Sequence, residues 1–278
     1  MTRDTIYDSA FEIGADALGE LVGAGVGGVV GGPVGAVGGA ILGSVMSHTL
    51  IDVKEEFLGR LLSSKEQQRV VAVADMTKSV IERNLGQGKI PRNDGFFEGS
   101  VNERSAAEEI FEGTLIAAQR EYEERKLQIL ANLNANIAFD ESITLGIANR
   151  LIKLATELTY QEILVLRILG LLEGLERMGL YPGDGGIRKK KAYEGVSGIA
   201  NIAVASDIFS LYRRSLVYSK SAILDAAGIN PSELQIAGYG ALLFNLMELG
   251  NMLYKESDAA IIYEFLVDAE ERPKPAGD

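Results

Sequence analysis

From Asp52 onward, apolar residues recur at intervals of three and four, the spacing that lines up side chains on one face of an α-helix. Ser63-x-x-Glu66, Ser105-x-x-Glu108 and Thr159-x-x-Glu162 open such runs as capping boxes, in which a hydroxyl and a carboxylate satisfy amides at a helix start. The pattern predicts helices over 52–62, 64–85, 105–137, 142–157, 160–178, 196–218, 232–254 and 258–270. Pro33, Pro91, Pro182, Pro231, Pro273 and Pro275 fall in turns or in the tail, sparing every predicted helix interior. No convincing run alternates with period two, so no strand is expected. In the fifth helix, Ile163-Leu164-Val165-Leu166 and Ile168-Leu169-Gly170-Leu171-Leu172 are apolar on all sides, which places it at the centre of a bundle. Arg167 interrupts that surface and is expected to snorkel or to pair with a carboxylate.

Before Asp52 the pattern changes. Residues 21–51 carry no formal charge with His48 neutral, and glycine recurs every fourth position at Gly19, Gly23, Gly27, Gly31, Gly35, Gly39 and Gly43. Two other columns are mainly large and apolar, with Val22, Val26 and Val30 in one and Val37, Ile41 and Val45 in the other. On a helix this gives a flat, glycine-lined groove and a greasy back. The twelve glycines between Gly14 and Gly43 cost such a helix on the order of 10 kcal/mol relative to alanine. Close approach of another helix offsets that cost, and lipid does so by penalising unpaired backbone groups.

A ridge at spacing four drifts by about 40° per step, so seven glycines cannot face one partner along a straight helix. A break at Gly32-Pro33 resolves this, with two arms of roughly 5–31 and 34–50 facing each other as a hairpin; a kinked continuous helix is the alternative. The run is long for one membrane span and short for two. An acidic stripe of Asp8, Glu12, Asp16 and Glu20 keeps the first arm wet at neutral pH, the pattern of a conditional insert rather than a permanent anchor.

The repeat Gly19-x-x-x-Gly23-x-x-x-Gly27-x-x-x-Gly31, continued through Gly43, is similar to the glycine-zipper segments of pore-forming and membrane-disrupting bacterial proteins. The resemblance covers about a sixth of the chain and does not extend to residues 52–278. In helical pore-formers it implies a hydrophobic hairpin wrapped by amphipathic helices until a trigger releases it. Glycine zippers also occur in scaffold and tail-assembly proteins.

Composition removes most other chemistries. The 278 residues include one histidine and no cysteine, which excludes thiolate metal sites, disulfides, cysteine nucleophiles and paired-imidazole sites. No metal site and no cofactor are expected. A net charge of −12 argues against nucleic acid as a partner. Gly23-Ala24-Gly25-Val26-Gly27-Gly28 satisfies GxGxxG, but a helix rather than a strand precedes it, and a four-residue repeat generates such matches by chance. Asp184 lies among glycines without a calcium-loop pattern. Asn132, Asn134, Asn136 and Asn149 form either a polar network or, more commonly, a solvated helix face. The one dense basic run, Arg188-Lys189-Lys190-Lys191, has the charge to touch anionic headgroups, although a solvated loop is the commoner role.

The expected fold is all-α. An N-terminal glycine-rich helical hairpin over 1–51 precedes a multi-helix bundle over 52–180, a hinge loop at 181–195, a C-terminal helical subdomain over 196–270 and a disordered tail at 271–278. The expected function is non-enzymatic: a membrane-active effector whose hairpin oligomerises in a lipid bilayer after a trigger, with homo-oligomers and a regulatory protein as partners. With no secretory signal pattern, cytoplasmic localisation with conditional membrane association is expected. The alternative is a soluble helical scaffold or regulatory protein that uses the zipper for subunit packing.

Overall fold

The computed structural model describes residues 50–99, 103–178, 188, 193–194, 198–220 and 228–267. The hairpin expected at 1–51, except its last two residues, lies outside them, as do the 271–278 tail and most of the 181–195 loop. Among the described residues the chain is predominantly helical, with two very small antiparallel sheets. Contacts divide it into two units, one holding the described residues between 50 and 159 plus Leu246–Glu248, the other those of 160–245 and 249–267. The division thus falls at Thr159–Tyr160, earlier than the 181–195 loop.

In the first unit, α1 (50–58), α2 (Ser64–Gly86), α3 (Ala106–Arg120), α4 (Lys126–Ile137) and α5 (Leu145–Glu157) surround one apolar core. The boxes at Ser63/Glu66 and Ser105/Glu108 form as expected, each hydroxyl accepting from the amide three residues on. The central helix is α4, which packs against α2, α3 and α5 and leaves only Gln128 exposed. Leu50, Val53 and Phe57 of α1 are buried in the same core as Val70, Val73, Phe111 and Leu115. The chain that emerges from the glycine run is therefore rooted in the bundle interior.

The single helix expected over 105–137 is two helices. Glu121 takes an extended backbone conformation after α3. Its carboxylate accepts from the Glu123 amide at 2.9 Å and pairs with Lys126 at 2.5 Å. Lys126 also donates to the carbonyl of Thr156 at 3.0 Å. A side chain that captures nearby amides competes with helix continuation, and here it restarts the chain as α4.

The second unit is built on α6 (Tyr160–Arg177), which is buried on nearly every side, as its all-round apolarity predicts. It packs against α7 (Ile199–Arg213), β4 (Leu234–Ile236) and α9 (Glu256–Leu266). The remaining elements are β1 (Tyr193–Glu194), β2 (Val217–Ser219), β3 (Gly228–Ile229) and α8 (Tyr239–Leu246), with β1 pairing β3 and β2 pairing β4.

Two further expectations are corrected in this unit. The helix read over 196–218 stops at Arg213, because Ser215 adopts a left-handed φ of 58°. Its amide donates to Tyr212 and that of Leu216 to Leu211, a Schellman closure that turns the chain into β2. The helix read over 232–254 begins only at Tyr239. Pro231–Glu233 form a 3-10 turn closed by the Asn230 side chain, and Leu234–Ile236 pair in register with Val217–Ser219. The Ile236 amide donates to Glu173 at 3.0 Å. Once tertiary partners absorb those backbone groups, a helix there has no advantage.

Candidate functional site

The zipper glycines, the apolar columns, the Gly32-Pro33 turn, the acidic stripe and His48 all precede residue 50 and lie outside the described residues. Lys189, Lys190, Lys191 and Asp184 also lie outside them. Arg188 is described, and its position corrects the expectation of a headgroup contact. Its side chain is 2% exposed, with the guanidinium held by Glu176 and by the carbonyl of Leu234. Arg188 also forms an isolated bridge with Val267. An arginine committed to a carboxylate and a carbonyl in the interior does not reach a membrane surface.

The asparagines are also interior. Asn132, Asn134 and Asn136 are buried on α4, while the exposed Asn149 donates to Glu109. Asn132 donates to the carbonyl of Met247, and Asn136 to the carbonyl of Leu246 and to Glu248, each at 3.0 Å. Asn84 of α2 donates to Asn136 at 2.9 Å, and Lys89 donates to Asn84 at 3.1 Å. Glu248 pairs with Arg83 and has a φ of 56°. Asn134 donates to Thr114, which donates to the carbonyl of Ile110. This network fixes the tripeptide Leu246–Glu248 to α4 and α2. Burial at its edge pushes the Lys89 ammonium below the usual lysine range.

In the second unit, Arg167 on the central helix and Asp207 on α7 keep buried polar atoms without a partner. Arg167 is 1% exposed, and its Nε and Nη1 have no acceptor. Nη2 donates to the carbonyl of Gly250 at 3.4 Å, and Cζ lies 4.3 Å from the centroid of the Tyr254 ring. The expected snorkelling does not occur, and Arg167 forms no ion pair with any of the described residues. Asp207 on α7 faces Glu162: burial pushes its carboxyl up to about 6, the Glu162 charge adds to this, and its Oδ2 has no partner. The first turn of α7 presents an apolar surface, with Ile199 89% and Ile202 53% exposed.

Sequence reasoning named α6 as a central helix but missed the equal role of α4. Asn132 and Asn136, four apart, share one face of a helix and Asn134 points away from it, so three such residues amid alanines and leucines are a signal of burial on two opposite faces. Among the described residues no helix is long and apolar enough to cross a membrane, and no group of three or more acidic or histidine side chains could hold a metal ion.

The fold and these groups define a mostly α-helical protein of two units, each organised on one buried helix. Comparisons with protein-family models, with curated proteins and with solved structures find no match to the chain.

Proposed function

We propose that the protein is a membrane-active, non-enzymatic effector in which the helical body restrains the glycine-zipper segment until a trigger frees it. The observation that carries this reading is the continuity between the uncharged run at 21–51 and α1, whose Leu50, Val53 and Phe57 are core residues of the first unit. A segment that demands cover is thereby joined directly to a folded body. No described helix has the length and apolarity of a span, so insertion on this reading falls to the residues before 50. The small glycine face would allow helices to approach closely while Val30, Val37 and Ile41 meet lipid. Acidification is the proposed trigger, because protonating Asp8, Glu12, Asp16 and Glu20 removes the charges that hold the first arm in water.

Alkaline-carbonate fractionation of cells expressing the whole chain tests the proposal. The expected result is recovery in the supernatant from cells held at neutral pH and in the washed pellet after acidification, the latter lost in Val30→Asp, together with acid-dependent dye release from liposomes. Recovery in the supernatant at neutral and mildly acidic pH, with no dye release, overturns it. A second reading, a scaffold that docks other proteins, is favoured by the exposed Ile199 and Ile202 on α7. On that reading Val30→Asp would leave fractionation unchanged, and Ile202→Asp would abolish complex formation.

A further inference from the structure

We infer that Arg167 is the anchor of a closed binding site for a small oxyanion, a phosphate or carboxylate group, covered by the connection between residues 249 and 255. A guanidinium carries five N–H donors and cannot shed its charge at accessible pH. At Arg167 two of its three nitrogens have no acceptor, and the third has one carbonyl at 3.4 Å, the outer limit of a hydrogen bond. The other buried cations among the described residues are held differently. Arg188 has Glu176, Lys126 has Glu121, and Arg92 has Asp94 together with the carbonyls of Ile137 and Ile143. Among the described residues Arg167 has only the Tyr254 ring and the Gly250 carbonyl.

Both of those contacts come from one short connection. Leu249–Asn251 form a single 3-10 turn, residues 252–255 are irregular, and α9 begins at Glu256. Asn251, Leu253 and Lys255 are exposed, so the outer side of the connection is wet. Lifting Tyr254 and Gly250 would uncover the guanidinium without unwinding α6 or α9. An oxyanion would replace a ring face and one weak carbonyl with charge-assisted hydrogen bonds to Nε and Nη1, which are stronger than either. Tyr254 acts as a stand-in ligand in the closed state, since a cation over a ring face gains part of what an anion would supply. This inference does not depend on the membrane reading.

The test uses the whole chain with three probes at constant ionic strength: inorganic phosphate, acetate and dihexanoyl phosphatidic acid. Thermal unfolding is followed together with the arginine Nε–H resonances of 15N-labelled protein. The expected result is a saturable rise in Tm of about 5 °C and a shift of one Nε–H resonance, both lost in Arg167→Met and Arg167→Lys. Tyr254→Ala should lower the apparent Kd about tenfold by removing the competing ring. A response to phosphate or acetate identifies a soluble ligand, and a response to phosphatidic acid alone identifies a lipid headgroup; either supports the site. The inference is overturned if no probe moves an Nε–H resonance, or if the thermal response is the same in both Arg167 variants. The resonance readout on the unsubstituted protein decides the matter even where Arg167→Met does not fold.

Discussion

A Cβ built on Gly240 would stand 1.9 Å from the carbonyl oxygen of Leu216. The first turn of α8 is pressed onto the start of β2, and the same Leu216 carbonyl accepts from the Ala237 amide at 3.0 Å. The obstacle is backbone, so no rotamer change relieves it. Gly240→Ala is expected to destabilise the chain by about 3 kcal/mol, measured by urea unfolding. Gly113, inside α3, has open space where a methyl group would stand, with no atom within 4 Å. Gly113→Ala should stabilise by about 0.8 kcal/mol through helix propensity alone.

Ser215 is the left-handed residue that closes α7. A non-glycine side chain in that region is strained, whereas glycine is not. Ser215→Gly is therefore expected to raise stability by about 0.5 kcal/mol, and Ser215→Val to lower it, in the same unfolding assay.

Asn136 serves three partners: it donates to Leu246 and Glu248 and accepts from Asn84. Asn136→Ala removes a partner from the Leu246 carbonyl and from the Asn84 amide, while Glu248 keeps Arg83, and should cost about 2 kcal/mol. Combined with Glu248→Gln, the loss should be less than the sum of the two single losses, because the pair shares one interaction. Additive losses in the double-mutant cycle would refute a coupled network.

Asp207 gives the stability a pH dependence of defined sign. Its folded-state pKa, about 6, is raised above the ordinary aspartate value of 3.8, so the folded chain binds the proton more tightly than the unfolded chain does. Its contribution is fully present below about pH 4 and is lost as pH rises through 6. Asp207→Asn should flatten the fall in denaturation midpoint between pH 4 and pH 7 and raise stability at neutral pH. Glu66 has the opposite sign. Hydrogen bonds from Ser63, then from Gln119, hold its carboxyl down at about 2, so its contribution is present above the usual carboxylate range and lost as pH falls through 2.

The helical class, the starts of α2 and α3, and the central place of α6 were legible because each depends on residues within a turn of one another. Ser63 and Glu66 are three positions apart, and the amides they satisfy are their own. The apolarity of α6 is likewise visible within its own eighteen residues. The fate of Asn132 and Asn136 was not legible. Their acceptors on Met247 and Leu246 stand more than a hundred residues away, and an asparagine on a solvated face has the same local sequence.

The sequence by itself determined where helices can begin and which segments must be covered, since capping, periodicity and the cost of glycine are local properties of the chain. Tertiary structure decided where those helices stop. Lys126 donates to the carbonyl of Thr156 where one helix breaks in two, Val217–Ser219 pair with Leu234–Ile236 where α7 gives way to a strand, and the Ile236 amide finds Glu173 instead of a helical carbonyl. It also decided which charges are satisfied: Arg188 meets Glu176, whereas Arg167, equally buried, meets only a ring and a carbonyl among the described residues. The physical reason is the same in each case. A polar group taken from water is satisfied by whatever partner the fold delivers, and sequence distance carries almost no information about which partner that is.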